Sequence, residues 1–420
     1  MSFAFIHAAD LHLDSPFQGV RAESPAVARA LQEATFAAFA RLIELAIARQ
    51  VQFVLLAGDV YDAADRSLRA QLRFVAGLQE LAAHGISCCV AHGNHDALEG
   101  WSAALQWPAG VHVFGPEPAT VRIGPEGLPR AAVCGISYSQ RHAREPLAAR
   151  LRPDGSGLFQ IALLHANCGG HPAHDVYAPC TVDELARAGF DYWALGHVHE
   201  RAVLHEYPHV VYPGNPQGRH VRESGPRGCF VVEVDDRRGV RLEFCALDAV
   251  RWSTAAVSIE GCTTVDALQR AVTEAALRRQ EAAAGRGCVC RVLLEGRGPL
   301  YAELAREGAV ADLRAAVNEA LAGREPFVWI EDVQLWCRPE LDLARRQQQG
   351  DLLATALRLA DEALRLPDAE LVQRLQDDVL GDLLRLCRAE EVFDRLDPAE
   401  LRWLLDRARW LCVELLESGA

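Results

Sequence analysis

The chain has 420 residues, half of them apolar, enough to bury a large core and to fill two or three domains. It has no run of about 18 apolar residues, which excludes an ordinary helical membrane span, and its net charge of −14 argues against a non-specific nucleic-acid coat, which would be basic. The 13 cysteines are an odd number and include no Cys-x-x-Cys pair, so reduced thiols in a cytoplasm are expected, not a disulfide frame or a zinc ribbon. The opening MSFAFIHAADLH lacks a basic n-region, so no signal peptide is expected.

In chain order, FAFIHAA is a short apolar run that ends at Asp10. Leu31, Phe36, Phe39, Leu42, Ile43 and Ala46 then recur at helical spacing between Ala26 and Arg49. FVLLAGD reads as a buried strand, residues 68–84 as a helix, and ISCCVAHGN as a third strand. A Pro/Gly-rich region leads to the strand-like AAVCGISY, FQIALLHA and DYWALGH, with a capping-box start for a short helix at Thr181–Glu184. VVYPGN and CFVVEVDDRRGVRLEFCAL read as antiparallel strands, the last two turning at DDRRG. Residues 250–337 repeat the strand–helix alternation with WSTAAVSI, a helix from Val265 to about Ala283, CVCRVLLEG, a second helix and FVWIEDVQLWC. From Pro339 onward the chain is rich in Leu, Arg, Glu and Asp and reads as helical, with helix starts at Asp368 and at Asp397-Pro-Ala-Glu400. The expected division is therefore an α/β domain over 1–248, a small α/β domain over 249–338 and a helical region over 339–420.

Five motifs close apolar strands: Asp10-Leu-His12, Gly58-Asp59, Gly93-Asn94-His95-Asp96, His165 and Gly196-His197-Val-His199. Any one of them is commonplace, but the ordered set puts a metal-capable side chain at five strand ends, the edge where open α/β sheets build their sites. In extended chain, residues two apart point the same way about 6.6–7 Å apart, so His197 and His199 could grip one metal, two neighbouring metals or neither. Asp and Asn oxygens with His nitrogens, and no thiolate, suit borderline-to-hard divalent ions such as Mn²⁺, with Fe²⁺, Zn²⁺ or Mg²⁺ as alternatives. Seven donors exceed what one six-coordinate ion takes and suit two ions about 3.5–4 Å apart that share a carboxylate. On that count each of the two histidines would serve a different metal.

The order DxH, GDxxD, GNHD, H, GHxH resembles the calcineurin-like metallophosphoesterases. The finer resemblance is to DNA repair exonucleases similar to SbcD, and to their YhaO-type branch. It rests on HAADLHLDSPFQG, LLAGDVYD, HGNHDA, LLHAN, LGHVHER and VYPGNPQGRHVRESGPRGCFVVEVD, and covers residues 1 to about 245. The resemblance implies a layered sandwich of two sheets flanked by helices, with a small α/β cap domain and a helical tail. It implies that Asp10, His12 and His199 hold one metal, that Asn94, His165 and His197 hold the other, and that Asp59 bridges them. It gives His95 the role of contacting the scissile phosphate or protonating the leaving 3′-oxygen, with Asp96 orienting His95 or His12. The implied partners are DNA and an SbcC- or YhaN-like coiled-coil ATPase, with a homodimer left open.

Weaker signals divide. Arg219, His220 and Arg222 could meet a DNA phosphate or pair with Glu223 in a surface loop. Asp14 and Asp62 are expected to cap or orient, and His7, His84, His92 and His112 to be structural. His171 and His174 are expected to lie in a loop, and the alternating stretch from Phe327 to Trp336 to be core. The leucines and tryptophans of the tail complete the fold or dock the ATPase. Two rival functions stand beside the nuclease: a small-molecule or nucleotide phosphodiesterase with the same metal pair, and a non-catalytic scaffold for the ATPase.

Overall fold

The computed structural model describes residues 2–15, 17, 24–62, 67–99, 105–124, 128–142, 144–169, 177–340, 343–375 and 397–417. The chain forms two compact units. The first comprises Met1–Val257, Asp266–Leu293 and Glu307–Gln334, the second Ser258–Val265, Leu294–Arg306 and Leu335–Ala420.

The first unit is built on two six-stranded sheets. One has the order β12-β11-β1-β2-β3-β4: Val240–Ala246, Gly228–Val234, Phe3–Ala8, Phe53–Ala57, Ser87–Ala91 and Val111–Val113. Strands β1 to β4 run parallel, and β11 and β12 add antiparallel strands at one edge. The other sheet is β5-β6-β7-β8-β10-β9: Ala119–Ile123, Ala131–Gly135, Phe159–His165, Tyr192–Gly196, His209–Tyr212 and Ala202–Glu206. Here β6, β7, β8 and β10 are parallel. The stretch around Val210 and Val211, expected as an antiparallel strand, is antiparallel to β9 on one side and parallel to β8 on the other. The edge strands β4, β5 and β9 were not apparent in the sequence. They are short and, but for Ile123, half-buried or exposed, so they carry little of the apolar signal that marks the central strands.

The sheets share an aromatic-rich core that includes Phe3, Phe5, Phe53, Leu55, Phe159, Leu163 and Tyr192. Phe5 and Phe53 stack at 4.9 Å, and Tyr192 meets Phe5 edge-on at 5.3 Å. The outer face of the first sheet is covered by α1 (Pro25–Ala48) and α2 (Leu68–Ala83), through Phe36, Phe39, Leu42 and Phe74. Helix α1 starts with Pro25 after Ser24, and α2 with Ser67 accepting from the Ala70 amide, both good first-turn chemistry. The outer face of the second sheet carries α3 (Val182–Arg187), which opens with the expected capping box of Thr181 and Glu184.

A third sheet orders β13, β14 and β15 (Val250–Ser258, Gly287–Glu295, Val328–Leu335), next to α4 (Val265–Ala282) and α6 (Ala309–Leu321) in sequence. It shares a core with α1: Trp252, Val289 and Trp329 pack with Val27, Leu31 and Ala34. In the second unit, α8 (Leu352–Leu364) packs on α10 (Pro398–Glu417) through Leu353, Leu357, Trp410 and Val413. Asp397 and Glu400 form the cap of α10. Leu352, Trp403, Leu404 and Leu411 are exposed, so the tail's apolar residues divide between an inner face and an outer one. Arg407 lies over the Trp336 and Trp403 rings on that outer face. No helix among the described residues is long and apolar enough to cross a membrane.

Candidate metal centre

Strands β1, β2 and β3 of one sheet and β7 and β8 of the other end at one corner of the first unit. Asp10 and His12 follow β1, Asp59 follows β2, and Asn94 and His95 follow β3. His165 is the last residue of β7, and His197 and His199 follow β8. The segments beyond β1 and β2 stay tied: Asp10 donates its amide to the Gly58 carbonyl at 3.0 Å, and His12 to the Asp59 carbonyl at 3.0 Å. Across the sheets, the His197 amide donates to Asp10 at 3.1 Å. The turns needed to aim these side chains inward require left-handed backbone at Asp10 (φ 55°), His12 (43°), Asp59 (48°) and His197 (102°). Such values are costly for residues with a Cβ and collect at functional sites. Gly58 also has positive φ, and a Cβ there or at Gly93 would collide with the His165 ring.

The donor atoms converge. Asp10, His12 and His199 offer ligand atoms that all lie within 4.8 Å of one another, as do Asp10, Asp59 and His165. His165 Nδ1 donates to the Ala57 carbonyl at 2.9 Å, and its Nε2 faces Asn94 Oδ1 at 3.1 Å and Asp59 Oδ2 at 3.3 Å. His199 Nδ1 lies 2.6 Å from Glu223 Oε1, and its Nε2 faces His12 Nε2 at 3.2 Å. Nitrogen and oxygen acceptors this close together repel unless a proton or a metal cation lies between them. Nitrogen and oxygen donors that need a shared cation fit a metal of the Mn²⁺, Fe²⁺ or Zn²⁺ kind. Asp10 belongs to both groups, and Asp59 of the second lies near the first, with Oδ2 4.0 Å from His12 Nε2. The His197 ring lies 5.2 Å from that of His165 and 5.8 Å from that of Tyr177, centre to centre.

The electrostatics show the same need for positive charge. Burial works against the charged form of His165, yet the Asp59 and Asp10 carboxylates and the Ala57 carbonyl push its pKa up to about 9. Burial raises Asp10 to about 6, against the pull of His165 and His199. Asp59 is buried too, but the neighbouring His165 holds its carboxyl far below the usual range.

His95 is arranged differently. Its amide donates to Asp59 Oδ1 at 2.9 Å, while its ring turns to Asp62, with Nδ1 2.5 Å from Oδ1. Burial would lower the His95 pKa, but the hydrogen bond to Asp62 raises it. Asp62 is fixed in turn by Arg219, whose guanidinium donates to Asp62 Oδ2 and to Ser15 Oγ, each at 2.8 Å. His12, Asp62 and His95 also group within 4.8 Å, but there Arg219 already supplies the positive charge.

Several expectations are corrected here. Asp96 orients neither His95 nor His12: it accepts from the Val60 and Gly93 amides and from His92 Nδ1, at 2.8, 2.7 and 2.9 Å. Asp62 has the orienting role given to Asp96. Arg219 pairs through its side chain with Asp62, and what it gives Glu223 is its backbone amide, at 2.7 Å. His220 Nε2 lies 3.4 Å from Glu223. Glu223 was read as a surface acid, yet it is 4% exposed and carries ligand-type His199, a contact across 24 residues that no local pattern announces. His7 is structural as expected, held between the Tyr192 hydroxyl and the Leu195 carbonyl, with burial lowering its pKa to about 3. Asp14 accepts from Ser67 and Arg69 near the start of α2. His171 and His174 lie outside the described residues.

Residues 3–201 match the calcineurin-like phosphoesterase family, and residues 252–338 match the family described as the middle domain of metallophosphoesterase YhaO. The uncharacterized metallophosphoesterase YhaO of Bacillus subtilis is 40% identical over 329 residues, 77% of this chain and 79% of that one. The DNA double-strand break repair protein Mre11 of Methanopyrus kandleri is 26% identical over 298 residues, 63% of this chain and 61% of that one. The SbcD component of the SbcCD nuclease of Escherichia coli K12 is 27% identical over 259 residues, 50% of this chain and 60% of that one.

Proposed function

The chain belongs to the calcineurin-like metallophosphoesterases, hydrolases acting on ester bonds, and from that premise we propose that it is a two-metal phosphodiesterase cleaving DNA in repair, as an exonuclease with endonuclease cleavage open to the same centre. The observation that carries this reading is the convergence of two donor groups on one corner, Asp10 with His12 and His199 and Asp10 with Asp59 and His165, each with its ligand atoms within 4.8 Å of one another. Asp10, His12 and His199 would hold one ion, Asn94, His165 and His197 the other, and Asp59 would bridge, with Mn²⁺ as the first choice. When bound, two such ions neutralise a phosphodiester and make a nucleophile available at neutral pH. His95 supplies the remaining need, a proton for the leaving 3′-oxygen: Asp62 accepts from Nδ1, so the proton to be delivered sits on Nε2. DNA as substrate is supported by the relatives named for double-strand break repair and for the SbcCD nuclease. Residues 249–338 would then shape access to the cleft, and 339–420 would dock an SbcC- or YhaN-like coiled-coil ATPase on the face bearing Trp403, Leu404 and Leu411.

A labelled linear duplex incubated with Mn²⁺ is expected to shorten to a ladder of products, and a chelator to stop it. Cleavage of bis-p-nitrophenyl phosphate or a cyclic nucleotide with the duplex left intact would transfer the reading to a small-molecule phosphodiesterase. Glu223→Gln tests how the histidines are supported: weakening the partner of His199 Nδ1 is expected to lower affinity at one metal site by about 10–100-fold and leave the other unchanged. Calorimetric titration with Mn²⁺ separates the two sites, and wild-type affinity at both would show that His199 needs no such partner.

A further inference from the structure

We propose that Cys168 and Cys180 form a reversible disulfide, made by peroxide, close in sequence to Tyr177, whose ring faces His197 at the metal corner. The two residues pair in an isolated parallel bridge beyond the end of β7. The Gly169 amide donates to the Cys180 carbonyl at 2.9 Å, and the Cys180 amide to the Asn167 carbonyl at 3.4 Å. Paired backbones lie about 4.8 Å apart, inside the roughly 4.4–6.8 Å Cα separation that a disulfide spans. The two thiols are hydrogen-bonded to each other. Tyr212 braces the Cys168 side: its hydroxyl accepts from the Cys168 amide at 2.8 Å and donates to the Ala166 carbonyl at 2.6 Å.

Other neighbouring cysteines are turned elsewhere. Cys229 and Cys245 face each other across β11 and β12, but the Cys245 thiol is directed to Glu243 at 3.8 Å. Cys288 contacts Ser253 at 3.3 Å, and Cys290 contacts its neighbour's carbonyl at 3.6 Å. The hydrogen bond from Cys180 lowers the Cys168 thiol pKa, so Cys168 is the sulfur that reacts first.

The chemistry balances with one hydrogen peroxide. The Cys168 sulfur attacks one peroxide oxygen and the O–O bond breaks. The departing hydroxide takes the Cys168 proton and becomes water, and Cys168 is left as a sulfenic acid. The Cys180 sulfur then attacks the Cys168 sulfur and the S–O bond breaks. That hydroxide takes the Cys180 proton and becomes the second water. The two thiols lose two electrons, the peroxide gains them, and a dithiol reductant reverses the change. The cross-link adds a covalent tie three residues after Tyr177, whose carbonyl accepts from the Asn167 amide at 2.9 Å and whose ring faces His197.

The sequence makes the test clean. The chain has no lysine, and Pro153 blocks cleavage after Arg152, so trypsin releases Leu151–Arg187 with these two cysteines and no other. After the full-length protein is treated with hydrogen peroxide, alkylated and digested, this peptide is expected to be about 2 Da lighter than the reduced form. It should take up no alkylating reagent until dithiothreitol is added, and then be modified at both cysteines. Cys180→Ser is expected to stop at the sulfenic acid of Cys168, which a dimedone adduct reveals. Retention of both free thiols through a series reaching millimolar peroxide would overturn the proposal, as would a cross-link from Cys168 to a different cysteine. Both outcomes are read on the wild-type protein.

Discussion

Asp59→Asn is expected to leave the protein folded but unable to hold either ion tightly, and to slow cleavage of a small phosphodiester by at least about 10³-fold, the equivalent of roughly 4 kcal/mol of charge stabilisation. The carboxylate touches both halves of the centre, with Oδ2 at 3.3 Å from His165 Nε2 and 4.0 Å from His12 Nε2. Asparagine keeps the shape and can still accept from the His95 amide, so the loss is of charge and not of packing. His12→Ala is the informative contrast, because His12 lies outside the group of Asp10, Asp59 and His165 and should cost mainly one ion. Metal analysis after Mn²⁺ loading and dialysis, with circular dichroism to verify folding, distinguishes the two variants. An Asp59→Asn protein that keeps the wild-type metal content would end the bridging assignment.

His95→Ala is expected to behave in the opposite way, with metal content unchanged and the rate lower by about 10²–10⁴-fold, the usual scale for a positioned general acid. The His95 ring is turned to Asp62, while only its amide touches Asp59, so its removal should leave the donor groups around Asp10 intact. The defect should depend on the leaving group. p-Nitrophenolate departs without a proton, whereas a sugar 3′-alkoxide needs one, so the loss on DNA should exceed that on bis-p-nitrophenyl phosphate. Equal losses on both substrates would place His95 in phosphate binding instead. Loss of an ion in this variant would make it a ligand or the support of one.

Much of the corner was legible because each element of it is local. An apolar run followed by glycine and a ligand-type residue states, within about six residues, both that a strand ends and what stands at its end. The partners of those residues were not legible, since they are fixed by contacts between distant segments. Asp62 reaches His95 across 33 residues, Arg219 reaches Asp62 across 157, and Glu223 reaches His199 across 24. Asp96 shows how adjacency misleads: the tight turn after β3 folds its carboxylate back onto the Gly93 amide, away from the neighbouring His95 ring. In the tail, leucine spacing announced helices but could not divide buried Leu357 from exposed Leu404, because spacing identifies a stripe and not what covers it.

The two sheets contribute separately to the centre: Asp10, His12, Asp59 and Asn94 stand on one side, and His165, His197 and His199 on the other. The aromatic layer between them therefore acts as a spacer whose thickness sets the gauge of the metal pair. Facing sheets stand about 10 Å apart, a distance fixed by the side chains that fill the gap, and a working site tolerates displacements of only about 0.5 Å. Phe5, Phe53 and Tyr192 belong to this layer and not to the donor set, yet a change in their volume would shift one half of the centre against the other. Drift in the chemistry of this chain can thus begin in residues that no substrate meets, and a repacked interior that melts at the wild-type temperature can still be mistuned.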